Sequence, residues 1–159
     1  MKKMLKGKHV LIVDDEPDVI ESLKDILEDC LIDSASDFDS AHELLEKNRY
    51  DIAILDIMGV NGYELLEIAT QKGIPALMLT ANALSPKDLT QSLKLGADAY
   101  VPKERISDID IFLEDVLISR EKGEKGRSRW FERLEGFFDK KFGEYWKEKS
   151  DPRFWNHYI

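Results

Sequence analysis

The sequence predicts an α/β protein: an open parallel sheet with helices on both faces, followed by a differently composed C-terminal segment. Three observations predict it. Strand-like and helix-like segments alternate five times between His9 and about Arg120. Each strand candidate is short and apolar throughout, as expected of strands buried on both faces. Polar residues stop several of these apolar runs at their C-terminal ends. Alternation of this kind implies right-handed βαβ crossovers and a doubly wound sheet.

The strand candidates are residues 9–13, 32–35, 52–55, 76–79 and 99–101. The first helix starts near Pro17, since proline suits an opening helical turn, and carries Ile20, Leu23, Ile26 and Leu27 at helical spacing. The second runs from about Asp39 to Asn48. The third begins after Gly62 and includes Leu65, Leu66 and Ile68. The fourth opens at Ser85-Pro86, a hydroxyl N-cap followed by proline. The fifth covers about Ser107 to Ser119, with Ile109, Phe112, Leu113 and Val116 as its core stripe. Residues 120–129 are charged, contain glycine and lack periodicity, and are read as a linker.

Composition narrows the classes. The chain has 159 residues, 43% hydrophobic and 35% charged, which fits a soluble globular protein with a real core. No apolar run approaches the roughly 20 residues of a membrane helix, and the basic start lacks a signal-like apolar core. One cysteine, Cys30, excludes an internal disulfide and is read as a small core residue. A cytoplasmic location is expected. The net charge of −9 weighs against nucleic acid, so no direct DNA binding is expected. That charge is uneven: residues 1–119 carry 24 acidic side chains against 12 basic, residues 120–159 carry 8 against 11. Ten of the fifteen aromatics, including every Trp, fall in the last thirty residues.

The strand ends carry the chemistry. Strand one ends in Asp14-Asp15-Glu16, strand three in Asp56, strand four in Thr80, and strand five just before Lys103. In open α/β sheets ligands bind at the carboxyl ends of the strands. If strands one and three are neighbours, Asp14, Asp15 and Asp56 converge. Clustered carboxylates repel and need a cation, and a hard oxygen-seeking ion such as Mg²⁺ fits. Such an ion, a lysine and a hydroxyl together suit phosphoryl chemistry, in which a carboxylate can itself be the nucleophile.

The stretches Val10-Leu-Ile-Val-Asp-Asp-Glu-Pro17, Ile52-Ala-Ile-Leu-Asp56, Leu79-Thr-Ala81 and Ala99-Tyr-Val-Pro-Lys103 together resemble the response-regulator receiver family of two-component signalling. The resemblance covers residues 8–119 and implies a flavodoxin-like (βα)5 sheet of strand order 2-1-3-4-5. It implies that Asp56 accepts a phosphoryl group from a sensor histidine kinase or phosphotransfer protein. It implies Mg²⁺ held by Asp15, Asp56 and the backbone carbonyl of Met58, with Asp14 acting mainly through water. Thr80, Lys103 and the Ala81 N–H would contact the phosphoryl oxygens. Thr80 moving toward the phosphate would let Tyr100 turn inward and alter the surface of helix four, strand five and helix five. A downstream protein or a second copy would read that surface. The protein would then be a switch rather than a turnover enzyme. The rival readings are a scaffold receiver that is never phosphorylated and an Asp-nucleophile phosphatase. The latter resembles Asp-x-Asp-x-Thr, whereas Met58 stands where its second carboxylate would be. Two departures from the family pattern are evident: the loop from Asp56 to Gly62 is about two residues short, and Pro102 precedes Lys103 instead of a proline following it.

By this reading residues 1–119 form the receiver, 120–129 the linker and 130–159 an aromatic amphipathic helical extension. Trp130, Phe131, Leu134, Phe137, Phe138, Phe142, Tyr145 and Trp146 share about half of a helical wheel. Gly136 and Gly143 lie opposite, and each costs about 1 kcal/mol relative to Ala, so the helix needs docking. It is expected to end at Asp151-Pro152 and to fold back on helix five, near Ile111 and Ile118, or to pair with a second copy. Membrane contact is not expected, since the polar face is of mixed charge. His9, His42 and His157 show no metal-ligand spacing, and Gly59 and Gly62 are read as turn glycines.

Overall fold

The structure, a computed structural model, describes residues 3–81, 84–124 and 129–158. Five parallel strands form one sheet: β1 (His9–Val13), β2 (Leu31–Ala35), β3 (Ile52–Leu55), β4 (Ala76–Thr80) and β5 (Ala99–Pro102), in the order β2-β1-β3-β4-β5. The expected flavodoxin-like order is therefore present. Between the strands run α1 (Pro17–Ile26), α2 (Phe38–Lys47), α3 (Gly62–Gln71) and α4 (Pro86–Lys94). A 3₁₀ turn, Lys103–Asp108, leads into α5 (Ile109–Lys122).

Local chemistry explains the boundaries. The Asp37 carboxylate caps α2 by accepting from Ser40 N at 2.8 Å, and the Ser85 hydroxyl caps α4 by accepting from Asp88 N at 3.0 Å. β3, β4 and β5 are buried along their whole length. β2 departs from the all-buried expectation because it is an edge strand; Leu31, at its start, is 62% exposed. The central register, Val13 beside both Ala35 and Leu55, brings the C-terminal ends of β1, β2 and β3 level. Asp14 and Asp56 follow those ends directly. α5 runs to Lys122 rather than stopping near Ser119, and the left-handed Gly123 (φ 67°) ends it. Of the proposed linker, residues 125–128 lie outside the described residues.

The C-terminal segment is helical, but it is not one helix. It comprises α6 (Arg129–Phe142), α7 (Trp146–Ser150) and α8 (Pro152–Tyr158). The break comes at Gly143 (φ 92°) and Tyr145 (φ 63°), where the backbone turns left-handed. Asp151-Pro152 does terminate a helix, the short α7 with Asp151 as its C-cap, and it also begins the next one. Proline occupies the first turn of α8, and the Asp151 carboxylate accepts from Phe154 N at 3.0 Å. This folding-back gathers Trp130, Phe131, Phe138, Trp146 and Trp155 into one aromatic cluster, each at most 3% exposed. Phe138 lies at its hub, with ring centroids 5.4 Å from Phe142, 6.1 Å from Phe131 and 6.2 Å from Trp146.

The three helices pack in cis over α4, β5 and α5. The Phe138 ring lies 6.1 Å from Tyr100 of β5, and Trp155 Nε1 donates to Thr90 Oγ1 of α4 at 3.3 Å. Arg133 Nε reaches the buried Asp115 of α5 at 2.6 Å. Lys94 pairs with Asp151 at 2.5 Å, and Lys141 with Glu104 at 3.7 Å. The tail does fold back, but its anchor on α5 is Asp115; Ile111 and Ile118 remain half-buried. No helix among the described residues is long and apolar enough to cross a membrane.

Candidate functional site

Three strand ends meet at one edge of the sheet. β1 delivers Asp14, Asp15 and Glu16; β3 delivers Asp56; β5 delivers Lys103. One carboxylate oxygen from each of Asp14, Asp15, Glu16 and Asp56 lies within 4.8 Å of the others. Asp14 and Asp56 are buried, at 2% and 5% exposure, whereas Asp15 and Glu16 are open to solvent.

Lys103 is the cation at the centre. Its Nζ sits 2.9 Å from Asp14 Oδ2, 2.8 Å from Glu16 Oε1 and 3.4 Å from Asp56 Oδ2. Backbone N–H groups hold the remaining oxygens of the buried pair. Glu16 N donates to Asp14 Oδ1, and Ile57 N donates to Asp56 Oδ1, each at 2.9 Å. Asp56 Oδ2 is thus the oxygen turned toward the lysine.

One ammonium is shared by three carboxylates, and proton affinities follow from that. Burial opposes the charge on Lys103. Hydrogen bonds to Glu16 and Asp14 and the fields of Asp14 and Asp56 outweigh it, holding the lysine above its ordinary range. Burial first, and the charge of Asp14 second, push the Asp56 carboxyl up to about 6, against the pull of Lys103 and the Ile57 N–H. Burial also raises Asp14, despite its bond from Glu16 N and its contact with Lys103. The cluster carries more negative charge than its lysine neutralises. A second, harder cation with oxygen preference fits these donors.

Two glycines make the approach of the strands feasible. A Cβ on Gly62 would fall 1.9 Å from the Asp56 carbonyl oxygen, so α3 starts this close to β3 only without a side chain. A Cβ on Gly59 would fall 2.3 Å from Asp15 Oδ2, and its φ of +83° also favours glycine. Ile57 and Val60 point into the core, so the short loop is pinned from below while Met58, 54% exposed, projects outward. The loop's shortness does not disperse the acidic cluster.

Of the residues picked out from sequence, Asp14, Asp15, Asp56 and Lys103 come together. Thr80 is fully buried at the end of β4, paired across the sheet with Pro102, and Ala81 follows it on the surface. Tyr100 lies farther down β5, opposite Met78, and is fully buried against the tail. Its hydroxyl accepts from Ser85 N at 3.3 Å. Glu16 was missed as a member of the cluster. The available signal was its place as third acid in the Asp14-Asp15-Glu16 run.

Comparison with known proteins places this geometry. Residues 10–116 match the response regulator receiver domain family. Over 99 residues the chain is 38% identical to the heme response regulator HssR of Staphylococcus aureus, covering 58% of this chain. It spans 43% of that relative's length, and less than half of the other curated relatives of that kind. A CheY-like response regulator receiver domain protein from Methanospirillum hungatei superposes with a TM-score of 0.67 at 29% identity, covering 75% of this chain and 100% of that one. A response regulator from Chloroflexus aurantiacus gives 0.64 at 28% identity, covering 71% and 99%.

Proposed function

Because the chain belongs to the response regulator receiver domain family, we propose that it is a signalling switch thrown by phosphorylation of Asp56. The observation carrying this reading is the Lys103 ammonium set between the buried Asp14 and Asp56 carboxylates, 3.4 Å from Asp56 Oδ2. The donor is the phosphohistidine of a sensor histidine kinase or phosphotransfer protein.

In this reading Asp56 Oδ2 attacks phosphorus. The O–P bond forms, the N–P bond to the donor imidazole breaks, and the ring nitrogen leaves with the bonding pair. The Ile57 N–H keeps Oδ1 in place, so the carboxylate presents one oxygen in a fixed direction. Lys103 exchanges carboxylate contacts for phosphoryl oxygens and neutralises charge that builds on them. Thr80 and the Ala81 N–H supply further donors. Asp14, Asp15, Asp56 and the Met58 carbonyl are the groups that would hold Mg²⁺, with Glu16 at the margin. The ion, when bound, offsets charge on the transferring group. Thr80 and Tyr100 carry the change to α4, β5 and α5 and to the tail packed over them, and a downstream protein reads it with the tail in place.

The test uses Mg²⁺ with acetyl phosphate, or with beryllium fluoride as a mimic. Wild type should gain the mass of one phosphoryl group, or bind the mimic, only with Mg²⁺; Asp56→Asn should do neither. A signal that persists in Asp56→Asn, or none in wild type, refutes the assignment.

A further inference from the structure

Tyr100 is the point where the phosphoryl site and the aromatic tail meet. It lies three residues before Lys103 on β5 and is fully buried. Its hydroxyl accepts from Ser85 N, at the head of α4, and its ring meets that of Phe138 at 6.1 Å and 49°. Phe138 is itself fully buried at the hub of the tail cluster. A tyrosine turns about χ1 between discrete staggered positions. Turning away from Ser85 would take the ring out of its packing against Phe138, and a close-packed interior loses stability when such a contact is unmade. A docked tail therefore favours an inward Tyr100.

The tail is fastened on both flanks of that contact. Trp155 donates to Thr90 and Asp151 pairs with Lys94 on α4. On the other side Arg133 grips Asp115 of α5, and Lys141 pairs with Glu104, the residue after Lys103. Phe138 is thus held over Tyr100 by a body that straddles the elements leading out of the site.

We propose that Phe138 is a positioning residue for the switch: the docked tail holds Tyr100 inward and so favours the phosphorylated form of Asp56. This rests on the function proposed above, in which phosphorylation draws Thr80 over and favours the inward Tyr100. Two events that select the same conformer strengthen each other, and linkage makes the effect reciprocal. The tail is then a positive effector carried in cis, and neither a passive patch nor a blocking cap.

The experiment uses the full chain as wild type, Phe138→Ala, Asp151→Lys, Tyr100→Val and the Phe138→Ala/Tyr100→Val double variant. Far-UV circular dichroism checks each fold. Intact mass after acetyl phosphate and Mg²⁺ gives the phosphorylated fraction and its decay. Every Trp lies in the tail, so acrylamide quenching of Trp emission reports the packing and docking of the tail. Phe138→Ala should accumulate about 10-fold less phosphoprotein than wild type, within the usual range of coupling between sites. Asp151→Lys, which leaves the aromatic hub intact, should show a smaller loss in the same direction. Against the Tyr100→Val background the Phe138→Ala effect should vanish, and phosphorylation of wild type should shield the tryptophans further. Equal or greater phosphorylation of Phe138→Ala overturns the inference, as does an equal loss with and without Tyr100, which a general structural defect would give. A wild type that accepts no phosphate, read directly by mass, fells the proposed function and this inference with it; phosphate accepted without coupling fells the inference alone.

Discussion

Replacing Asp56 by Asn should make the metal-free protein more stable at neutral pH. The Asp56 side chain is 7% exposed, and burial with the neighbouring Asp14 charge raises its carboxyl from an ordinary 3.8 to about 6. That elevation corresponds to ~3 kcal/mol against the ionised form in the folded chain. The folded chain keeps the proton up to about pH 6, while the unfolded chain releases it near 3.8. Folding therefore binds a proton between these values, and stability falls as pH rises through that window. Above it the full penalty stands; below it there is none. Asn removes the penalty but deprives Lys103 of a charged acceptor, which leaves a net gain of about 1–2 kcal/mol at pH 7.5, or about 3–6 °C in Tm for a chain of this length. Urea denaturation followed by circular dichroism in EDTA, at pH 7.5 and at pH 4, measures it. The gain should shrink to about 0.5 kcal/mol or less at pH 4. An Asn variant no more stable than wild type at pH 7.5, or a gain unchanged between the two pH values, would refute the account of Asp56 as a charge held against its surroundings.

Divalent cation should close that gap: at tenfold over its Kd, Mg²⁺ should stabilise wild type by about 1.4 kcal/mol, with little effect on Asp56→Asn, as thermal melts would show. Gly62→Ala should destabilise by ~3 kcal/mol or more, since its Cβ would strike the Asp56 carbonyl oxygen. Gly73→Ala, with a φ of +73° but open space around it, should lose only about 1 kcal/mol in the same denaturation assay. Arg133→Ala leaves Asp115 buried without its cation and should loosen the tail by about 2 kcal/mol, seen as a red-shifted Trp emission. Adding Asp115→Asn should recover most of that loss.

The sheet was legible because strands buried on both faces admit little but apolar residues, so polar punctuation marks their ends. Ser85-Pro86 announced α4 because a hydroxyl cap and an N-terminal proline satisfy the same helix end. Asp14, Asp15, Asp56 and Lys103 were legible for a related reason: one acid at a strand end can be a helix cap, as Asp37 is, but three acids with a threonine and a lysine at matching strand ends exceed what capping needs. Glu16 was harder, because an exposed acid before a helix looks like ordinary surface until Lys103 is found 2.8 Å away. The break in the tail was missed because most of its aromatics keep the helical period across the turn; Tyr145, expected on the apolar face, is instead 64% exposed at the turn itself. Trp146 and Trp155 still face the cluster after the chain reverses at Gly143 and Tyr145. A left-handed tyrosine leaves no trace in composition.

Charge asymmetry suggested that the tail would dock, yet magnitudes assign the holding to aromatic burial. Lys94–Asp151 has side chains 48% and 25% exposed, and Lys141–Glu104 has 50% and 61%. Pairs this open contribute about 0.2–1 kcal/mol each and weaken with salt. Of these three pairs, Arg133–Asp115 alone places one partner, at 4%, out of water. By contrast Trp130, Phe131, Phe138 and Trp155 are each at most 2% exposed. At roughly 2–3 kcal/mol per buried side chain they supply on the order of 10 kcal/mol to the fold and docking of the tail. The ion pairs then set where the tail sits, while burial decides that it sits at all. It follows that salt alone leaves the tryptophans buried, whereas truncating a single ring at the hub frees Tyr100.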